Sequence, residues 1–412
     1  MKDFWQLTIP TLFLVALASF FFAKESFLDA RLHNMIGVGV RTNTDTEIAL
    51  EAQGDQPLKE TVSISAEELK ICLARPGSEI NNCLDSLFRK YLEKKTPVEA
   101  LALVEELGNY DSKIRFSCHP IVHAIGRETF KKEGTIPDSF AACDQTCHSG
   151  CYHGAIERFL RGEEQNSDGV GHLSQEEIAQ KVKGACSAQE EVRFHFQCLH
   201  GLGHAVMFFL DYDLEESLEI CEDTGDNWSQ SSCRGGVFME NMFSSSPEKR
   251  DFSLDDYHYP CSKLEEKYKA DCYMMQTSRM SEMGLGLEGL FTECRKAENF
   301  VANCFQSIGR DLSNDARIND PRITSKKCEG LEVREQDACI RGVIYALMDN
   351  TWNGRYAFPF CESFEEMAPK MYCFSASASY LSNTFVKTGQ ELLKDCQTWA
   401  PSSEVCLATV GY

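Results

Sequence analysis

Three pairs of polar side chains, each with its members four residues apart, could bind a metal ion together. Residues four apart on a helix lie on one face and one turn from each other, so both members can reach one cation. Each pair follows a cysteine at what reads as the start of a helix. The three pairs are His119/His123, His153/Glu157 and His200/His204. If the three helices are neighbours, the sequence predicts one nitrogen-rich metal site.

The ligand types restrict the chemistry of this predicted site. Imidazole ligands with one carboxylate suit zinc, iron, copper or manganese. His148 lies just before the second pair and could join the site, whereas His172 and His195 fall outside the pattern and are predicted to be structural or surface residues. With an open coordination position, bound metal would polarise a substrate or acidify water, and Glu157 would be a ligand or the general base. A closed site would be structural or would capture metal.

The same histidines have an alternative role in structural polar contacts. His153 and His200 stand in a Cys-x-His-Gly sequence that has Arg341 at the equivalent place in a later unit. A polar residue there could bind carbonyl groups or pair with an acid of the next unit. In addition, His119 and His123 lie one residue closer to their cysteine than the other pairs do, which would turn them by about 100° on the helix.

The cysteines predict the covalent framework of the chain. Most of the twenty form couples ten to twelve residues apart, and the couples recur about every 33 to 40 residues. So many paired cysteines indicate an oxidising compartment, and the lack of a Cys-x2-Cys knuckle argues against structural zinc. The predicted disulfides are Cys72–Cys83, Cys118–Cys147, Cys143–Cys151, Cys186–Cys198, Cys221–Cys233, Cys261–Cys272, Cys294–Cys304, Cys328–Cys339, Cys361–Cys373 and Cys396–Cys406.

Each couple marks a pair of helices. In residues 214–243, apolar residues at helical spacing precede a polar turn, and the apolar pattern resumes after Ser231 or Ser232, either of which could cap a second helix. About ten such units predict an all-α fold, a right-handed α-solenoid of tandem hairpins in which each is stapled by a disulfide and stacks on its neighbours. The recurring glycine of the Cys-x-His/Arg-Gly sequence implies close contact between helices.

This layout resembles that of helical-hairpin solenoids such as tetratricopeptide arrays. The resemblance covers about residues 65 to 412 and is architectural, because the signature positions of those families do not map onto the cysteine spacing. It implies a concave face that binds a protein partner, and it carries over no catalytic residue.

The amino-terminal residues differ in character from the repeats. Residues 4–23 carry no charge and are long enough to cross a bilayer as a helix, so residues 1–24 are predicted to be a signal anchor or signal peptide. Residues 25–65 are predicted to be a polar tether and residues 66–412 the cysteine-rich repeat domain. Disulfide formation places that domain in the periplasm, the extracellular space or the lumen of the secretory pathway.

Two further classes of partner are disfavoured. A formal net charge of −22 repels phosphate backbones, so nucleic acid is not expected to bind. The segment from Cys143 through Cys147 to His148 resembles a lengthened haem attachment motif, but both cysteines have predicted disulfide partners, so covalent haem is disfavoured.

The sequence therefore predicts a membrane-anchored, extracytoplasmic helical-repeat protein with a histidine-rich transition-metal site for metal-dependent binding or catalysis. The competing prediction is a metal-free scaffold for protein–protein interaction, in which the histidines are structural.

Overall fold

The regular structure of this chain is a succession of α-helices. A computed structural model describes residues 63–77, 79–162, 175–186, 191–243 and 247–411, and within these ranges there is no β-strand. The helices are α1 (Ala66–Leu73), α2 (Glu79–Leu92), α3 (Pro97–Tyr110), α4 (Ser112–Phe116), α5 (Cys118–Glu133), α6 (Ile136–Ala142), α7 (Thr146–Arg161), α8 (Gln175–Ala185), α9 (Val192–Phe209), α10 (Leu214–Cys221), α11 (Asn227–Phe243), α12 (Glu266–Tyr273), α13 (Gln276–Glu282), α14 (Leu287–Cys294), α15 (Val301–Ile318), α16 (Pro321–Cys328), α17 (Val333–Asp349), α18 (Ala357–Glu362), α19 (Met367–Thr384), α20 (Gly389–Trp399) and α21 (Glu404–Thr409).

A short helix followed by a long one is the repeated motif, as α10 and α11 illustrate. Asp213 caps α10 by accepting a hydrogen bond from the backbone N–H of Glu216 at 3.0 Å. The prediction that Ser231 or Ser232 caps the second helix is wrong. Asp226 accepts from the backbone N–H of Ser229 at 2.9 Å, and α11 begins at Asn227, so the turn is shorter than predicted.

Ten disulfides join the helices, and no described cysteine is free. Nine of them join cysteines 8 to 12 residues apart, and each restricts the conformations that the unfolded chain can adopt. The Cα atoms of the bonded cysteines lie 5.3 to 5.8 Å apart. The pairs are those that the spacing predicts, including the cross-unit bond between Cys118 and Cys147.

Successive long helices pack against each other through pairs of glycines. A Cβ atom on Gly154 of α7 would lie 1.9 Å from the carbonyl oxygen of His123 on α5, and one on Gly126 would lie 1.9 Å from that of Cys151. The same reciprocal contact joins α9 to α11 at Gly203 and Gly236, and α15 to α17 at Gly309 and Gly342. Only glycine allows the two backbones to approach this closely, as the recurring glycines of the sequence imply.

The second half of the chain returns to the first half. The ring of Trp352 stacks on Tyr152 with 6.0 Å between centroids and lies 5.8 Å from Phe194. The side-chain amide of Asn350 lies 3.4 Å from Nδ1 of His148, 202 positions earlier in the sequence. Stacking between neighbouring units does not by itself predict this contact. The residues of this contact lie beside a cavity of about 840 Å³, which Asn350 and His148 both line.

The predicted amino-terminal anchor, residues 1–24, lies outside the described residues, as does the predicted tether up to residue 62. Within the described ranges, every helix is too short or too polar to cross a bilayer. The ten disulfides of the described residues indicate an oxidising, extracytoplasmic environment.

Candidate metal centre

Five histidines from three neighbouring helices come together at the cavity wall. This histidine cluster has ring centroids 4.5 to 5.7 Å apart in every contacting pair. Helix α5 supplies two of the rings, α7 supplies one and α9 supplies two. The members are His119, His123, His153, His200 and His204, and all five line the cavity.

Helix periodicity and the glycine contacts together position the cluster. Two histidines four residues apart on α5, and two more on α9, each present adjacent rings on one helical face. Gly154 fixes α7 against the backbone of His123, and a Cβ on Gly201 of α9 would lie 2.9 Å from the Cα of His153. The glycines, and not the cysteines, therefore set the register. For this reason the one-residue offset of His119 and His123 does not turn them away from the cluster.

His119 and His123 direct nitrogen lone pairs at each other. Nδ1 of His119 donates to the carbonyl oxygen of Cys147 at 2.8 Å, and Nδ1 of His123 donates to the carboxylate of Glu157 at 2.5 Å. With Nδ1 protonated in both neutral rings, each Nε2 is an acceptor. The two Nε2 atoms are nevertheless only 3.0 Å apart. Two nitrogens bound to one tetrahedral zinc ion are separated by a similar distance, roughly 3.4 Å, because Zn–N bonds are about 2.0–2.1 Å long.

His153 and His204 each present a nitrogen that has no protein partner. Nε2 of His153 lies 2.9 Å from the side-chain oxygen of Gln197, and Nδ1 of His204 lies 2.9 Å from the carboxylate of Glu240. The other nitrogens, Nδ1 of His153 and Nε2 of His204, are buried and make no hydrogen bond to the described part of the chain. A buried polar atom without a partner is costly, so these two nitrogens are available to bind a metal ion or to accept a hydrogen bond.

Three rings of the cluster are held in their uncharged form. Burial, followed by the charge of neighbouring histidines, lowers the pKa of His119, His153 and His200 well below the usual value of 6.5. Neutral imidazole is the form of histidine that binds metal ions, so burial prepares these rings for coordination.

Glu157 lies behind His123 as part of a buried ion network. Its second oxygen accepts from Nη1 of Arg127 at 2.7 Å, and Nε of Arg127 also donates to Asp85 at 2.8 Å. The two carboxylates raise the pKa of Arg127 above its ordinary value despite burial. The sequence predicted Glu157 as a ligand or general base, and the structure places its two oxygens against a guanidinium and an imidazole N–H. Carboxylates in this position commonly orient metal-binding histidines.

His148 and His195 do not belong to the cluster. His148 lies at the closure contact with Asn350, and burial together with the charges of Arg317 and Arg310 lowers its pKa to about 4. Nδ1 of His195 donates to the carbonyl oxygen of Cys186 at 3.1 Å, and its ring stacks on the indole of Trp228. The remaining predicted outlier, His172, lies outside the described residues.

Three polar residues around the cluster were not predicted from the sequence, namely Glu240, Gln197 and Arg127. Glu240 interrupts the apolar run Val237-Phe238-Met239 of α11, and an acid in such a run is the only local sign of its role. Gln197 and Arg127 carry no comparable signal, because their partners lie 44 and 30 positions away in the sequence.

The described residues include two groups of three ligands that could hold a metal ion. One is His119, His123 and His153, and the other is His153, His200 and His204. Within each group the ligand nitrogens lie within 4.8 Å of one another. Thiolate ligands are unavailable because the cysteines form disulfides. Three protein ligands beside a cavity are typical of metal sites that keep a position for water or substrate.

Comparison of the chain with protein-family models, with curated proteins and with solved structures gives no match. The geometry of the site therefore carries the functional argument.

Proposed function

We propose that this protein binds a transition-metal ion at the histidine cluster and uses it to bind or transform a small molecule that enters the cavity. The main support is the contact between Nε2 of His119 and Nε2 of His123 at 3.0 Å. Nδ1 of each ring donates to an oxygen atom, so the lone pairs of the two Nε2 atoms face each other across this distance. A cation between them converts that repulsion into coordination.

The alternative is that a proton bridges the pair, which is the structural role expected of a metal-free scaffold. An imidazolium at His123 could donate to both Glu157 and His119. That explanation accounts for one contact. It leaves the buried Nδ1 of His153 and Nε2 of His204 without a donor, and an imidazolium supplies none in their direction. A metal ion held by His119, His123 and His153 accounts for three of these four nitrogens at once, so we prefer it.

The ligand set favours metals that bind imidazole. Zinc, copper and iron accept several nitrogen ligands, whereas manganese more often takes oxygen ligands. His153 can use its Nδ1 in only one of the two groups of three, so an ion would occupy one group with the other nearby. In this proposal Glu157 and Glu240 orient His123 and His204 and increase their basicity.

The setting of the site completes the proposal. We propose that the hairpins form a right-handed solenoid whose concave side is the cavity wall, and that residues 1–24 anchor it to the outer side of a membrane. The side-by-side packing of α5, α7, α9 and α11 supports the first part. A protein partner on the concave face is the alternative use of the same surface.

Metal analysis of purified protein tests the proposed function. Protein stripped with a chelator and reloaded in turn with zinc, copper(II) or iron(II) should retain stoichiometric metal after gel filtration. The double variant His123→Gln/His204→Gln removes one ligand from each group of three and should lose that metal. His195→Gln, outside the cluster, is the matched control and should retain it. Wild-type protein without metal, or a double variant with unchanged metal content, would support the scaffold.

A further inference from the structure

The cavity wall includes a second feature that the metal site does not use, a guanidinium without a carboxylate partner. Nε of Arg317 on α15 is buried and has no hydrogen-bond partner in the described ranges. Its only hydrogen bond there is a long one, 3.4 Å from Nη2 to the side-chain oxygen of Asn314. Arg317 lines the same cavity as the histidine cluster.

Two other arginines at this wall form ion pairs with carboxylates. Arg127 forms ion pairs with Asp85 and Glu157 at 2.7 Å each. Arg310, two helical turns before Arg317 on α15, pairs with Asp311 at 2.6 Å. Two further arginines of the wall have other contacts, since Arg115 donates to the carbonyl oxygen of Gly108 at 2.8 Å and Arg355 lies 5.1 Å from the ring centroid of Tyr356.

An unpaired, partly buried charge is expensive to maintain, and an external anion would remove the cost. The guanidinium group has a planar fork of N–H donors that matches carboxylate and phosphate oxygens. Arg317 can therefore bind an oxyanion, and its Nε lies on an edge of the guanidinium group that makes bidentate hydrogen bonds.

The position of Arg317 relates it to the metal centre. Arg317, His148 and His119 line the same cavity. His148 also follows Cys147, whose carbonyl oxygen accepts the hydrogen bond of His119. A cavity of about 840 Å³ lies within the usual range for small-molecule sites. Arg317 and the histidine cluster are thus two parts of one cavity wall.

We propose that the ligand of this cavity is a small molecule with a carboxylate or phosphate group, which binds to the guanidinium of Arg317 while the rest of the molecule faces the histidine cluster. The second half of this statement rests on the proposed function, since it needs a metal ion at the cluster. The first half does not.

Isothermal titration calorimetry with inorganic phosphate and with succinate tests the anion site, first on metal-free protein and then on zinc-loaded protein. Metal-free wild-type protein should bind at least one of the two probes. Arg317→Gln should weaken that binding by about tenfold or more, because a hydrogen-bonded charge pair is lost. Arg317→Lys keeps the charge without the fork and should lose less. The control is Arg322→Gln, an exposed arginine paired with Asp320.

The outcomes separate the two proposals. Absence of binding by metal-free wild-type protein, wild-type affinity in Arg317→Gln, or an equal loss in Arg322→Gln would each overturn the anion site. Arg317-dependent binding in a protein that takes up no metal would support the anion site and reject the metal centre. Tighter binding of the same probe after zinc loading, lost again in Arg317→Gln, would support a ligand that spans both. An unchanged affinity after zinc loading would restrict the ligand to Arg317.

Discussion

Replacing Gly154 with alanine should weaken metal binding by separating two helices of the histidine cluster. The new Cβ would lie 1.9 Å from the carbonyl oxygen of His123, whereas Cβ atoms essentially never approach within 3.0 Å. Helices α5 and α7 must therefore move apart by about 1.1 Å, the difference between these distances. Because metal–ligand distances tolerate changes of only about 0.2 Å, we expect the zinc affinity to fall on the order of 100-fold.

The same change should also lower stability, and a matched variant separates the two effects. Overpacking costs about 1–3 kcal/mol, and roughly 1 kcal/mol of this is offset by the better helix propensity of alanine. Gly342→Ala creates an identical 1.9 Å clash, with the carbonyl oxygen of Gln306, between α15 and α17. Those helices contribute no histidine to the cluster. Gly389→Ala, in the first turn of α20, meets no atom within 4 Å and is the neutral control.

Competition titration with a chromophoric chelator measures the zinc affinity, and urea denaturation of the metal-free variants measures the free energy of unfolding. We expect Gly154→Ala and Gly342→Ala to lose similar stability, and only Gly154→Ala to lose zinc affinity. If both variants were destabilised and both bound zinc as the wild type does, close helix packing would not be what positions the site.

Three further predictions concern the surroundings of the cluster. Glu157→Gln should reduce zinc affinity about 10- to 100-fold, because Glu157 would no longer orient His123 as strongly. The exposed Glu105→Gln is the control and should not reduce it. Equal affinities of the two variants in the competition titration would show that Glu157 does not orient a zinc ligand. Below pH 6.5 three histidines of the cluster bind protons in the unfolded metal-free chain, whereas in the folded protein their buried rings stay neutral. The free energy of unfolding should therefore decrease as the pH falls below 6.5. The loss is up to about 1.4 kcal/mol per pH unit for each ring whose pKa burial lowers, and urea denaturation between about pH 7.5 and about pH 5 measures it; a flat profile would contradict this reasoning. Those rings are His119, His153 and His200. Trp352→Ala should remove about 3 kcal/mol of stability, because it deletes the contact of Trp352 with Tyr152 and Phe194. Trp228→Ala should cost much less, because Trp228 is 43% exposed. Thermal unfolding that ranks the two variants in the opposite order would show that the Trp352 contact contributes little.

Much of the covalent framework could be predicted from the sequence because the information is local. Eight cysteine couples lie ten to twelve residues apart, which is short enough for one turn to bring their Cα atoms within bonding distance. The bond between Cys118 and Cys147 was predicted by elimination. Cys118 has no cysteine ten to twelve residues before it, and Cys147 remains unpaired once Cys143 is paired with Cys151. The histidine pairs could be predicted for the same reason, because side chains four positions apart on a helix are always neighbours.

The assembled site could not be predicted to the same extent. The sequence suggested that Glu157 was a ligand, but its place behind His123 depends on how far α7 slides along α5. The acid behind His204, Glu240, depends likewise on the distance between α9 and α11. Backbone contacts at glycines set these distances, and a glycine in the sequence does not reveal which carbonyl group it will meet.

The sequence by itself determined the helical hairpins, their disulfides and the histidines that could bind a metal, because hydrophobic periodicity, short loops and helical spacing act within about forty residues. Only the tertiary structure decided that the chain closes on itself at Trp352, that lone pairs of His119 and His123 converge, and that Arg317 faces the same cavity. These facts depend on contacts between residues up to 202 positions apart. Such contacts are set by the summed curvature of many packed units, which no single stretch of sequence encodes.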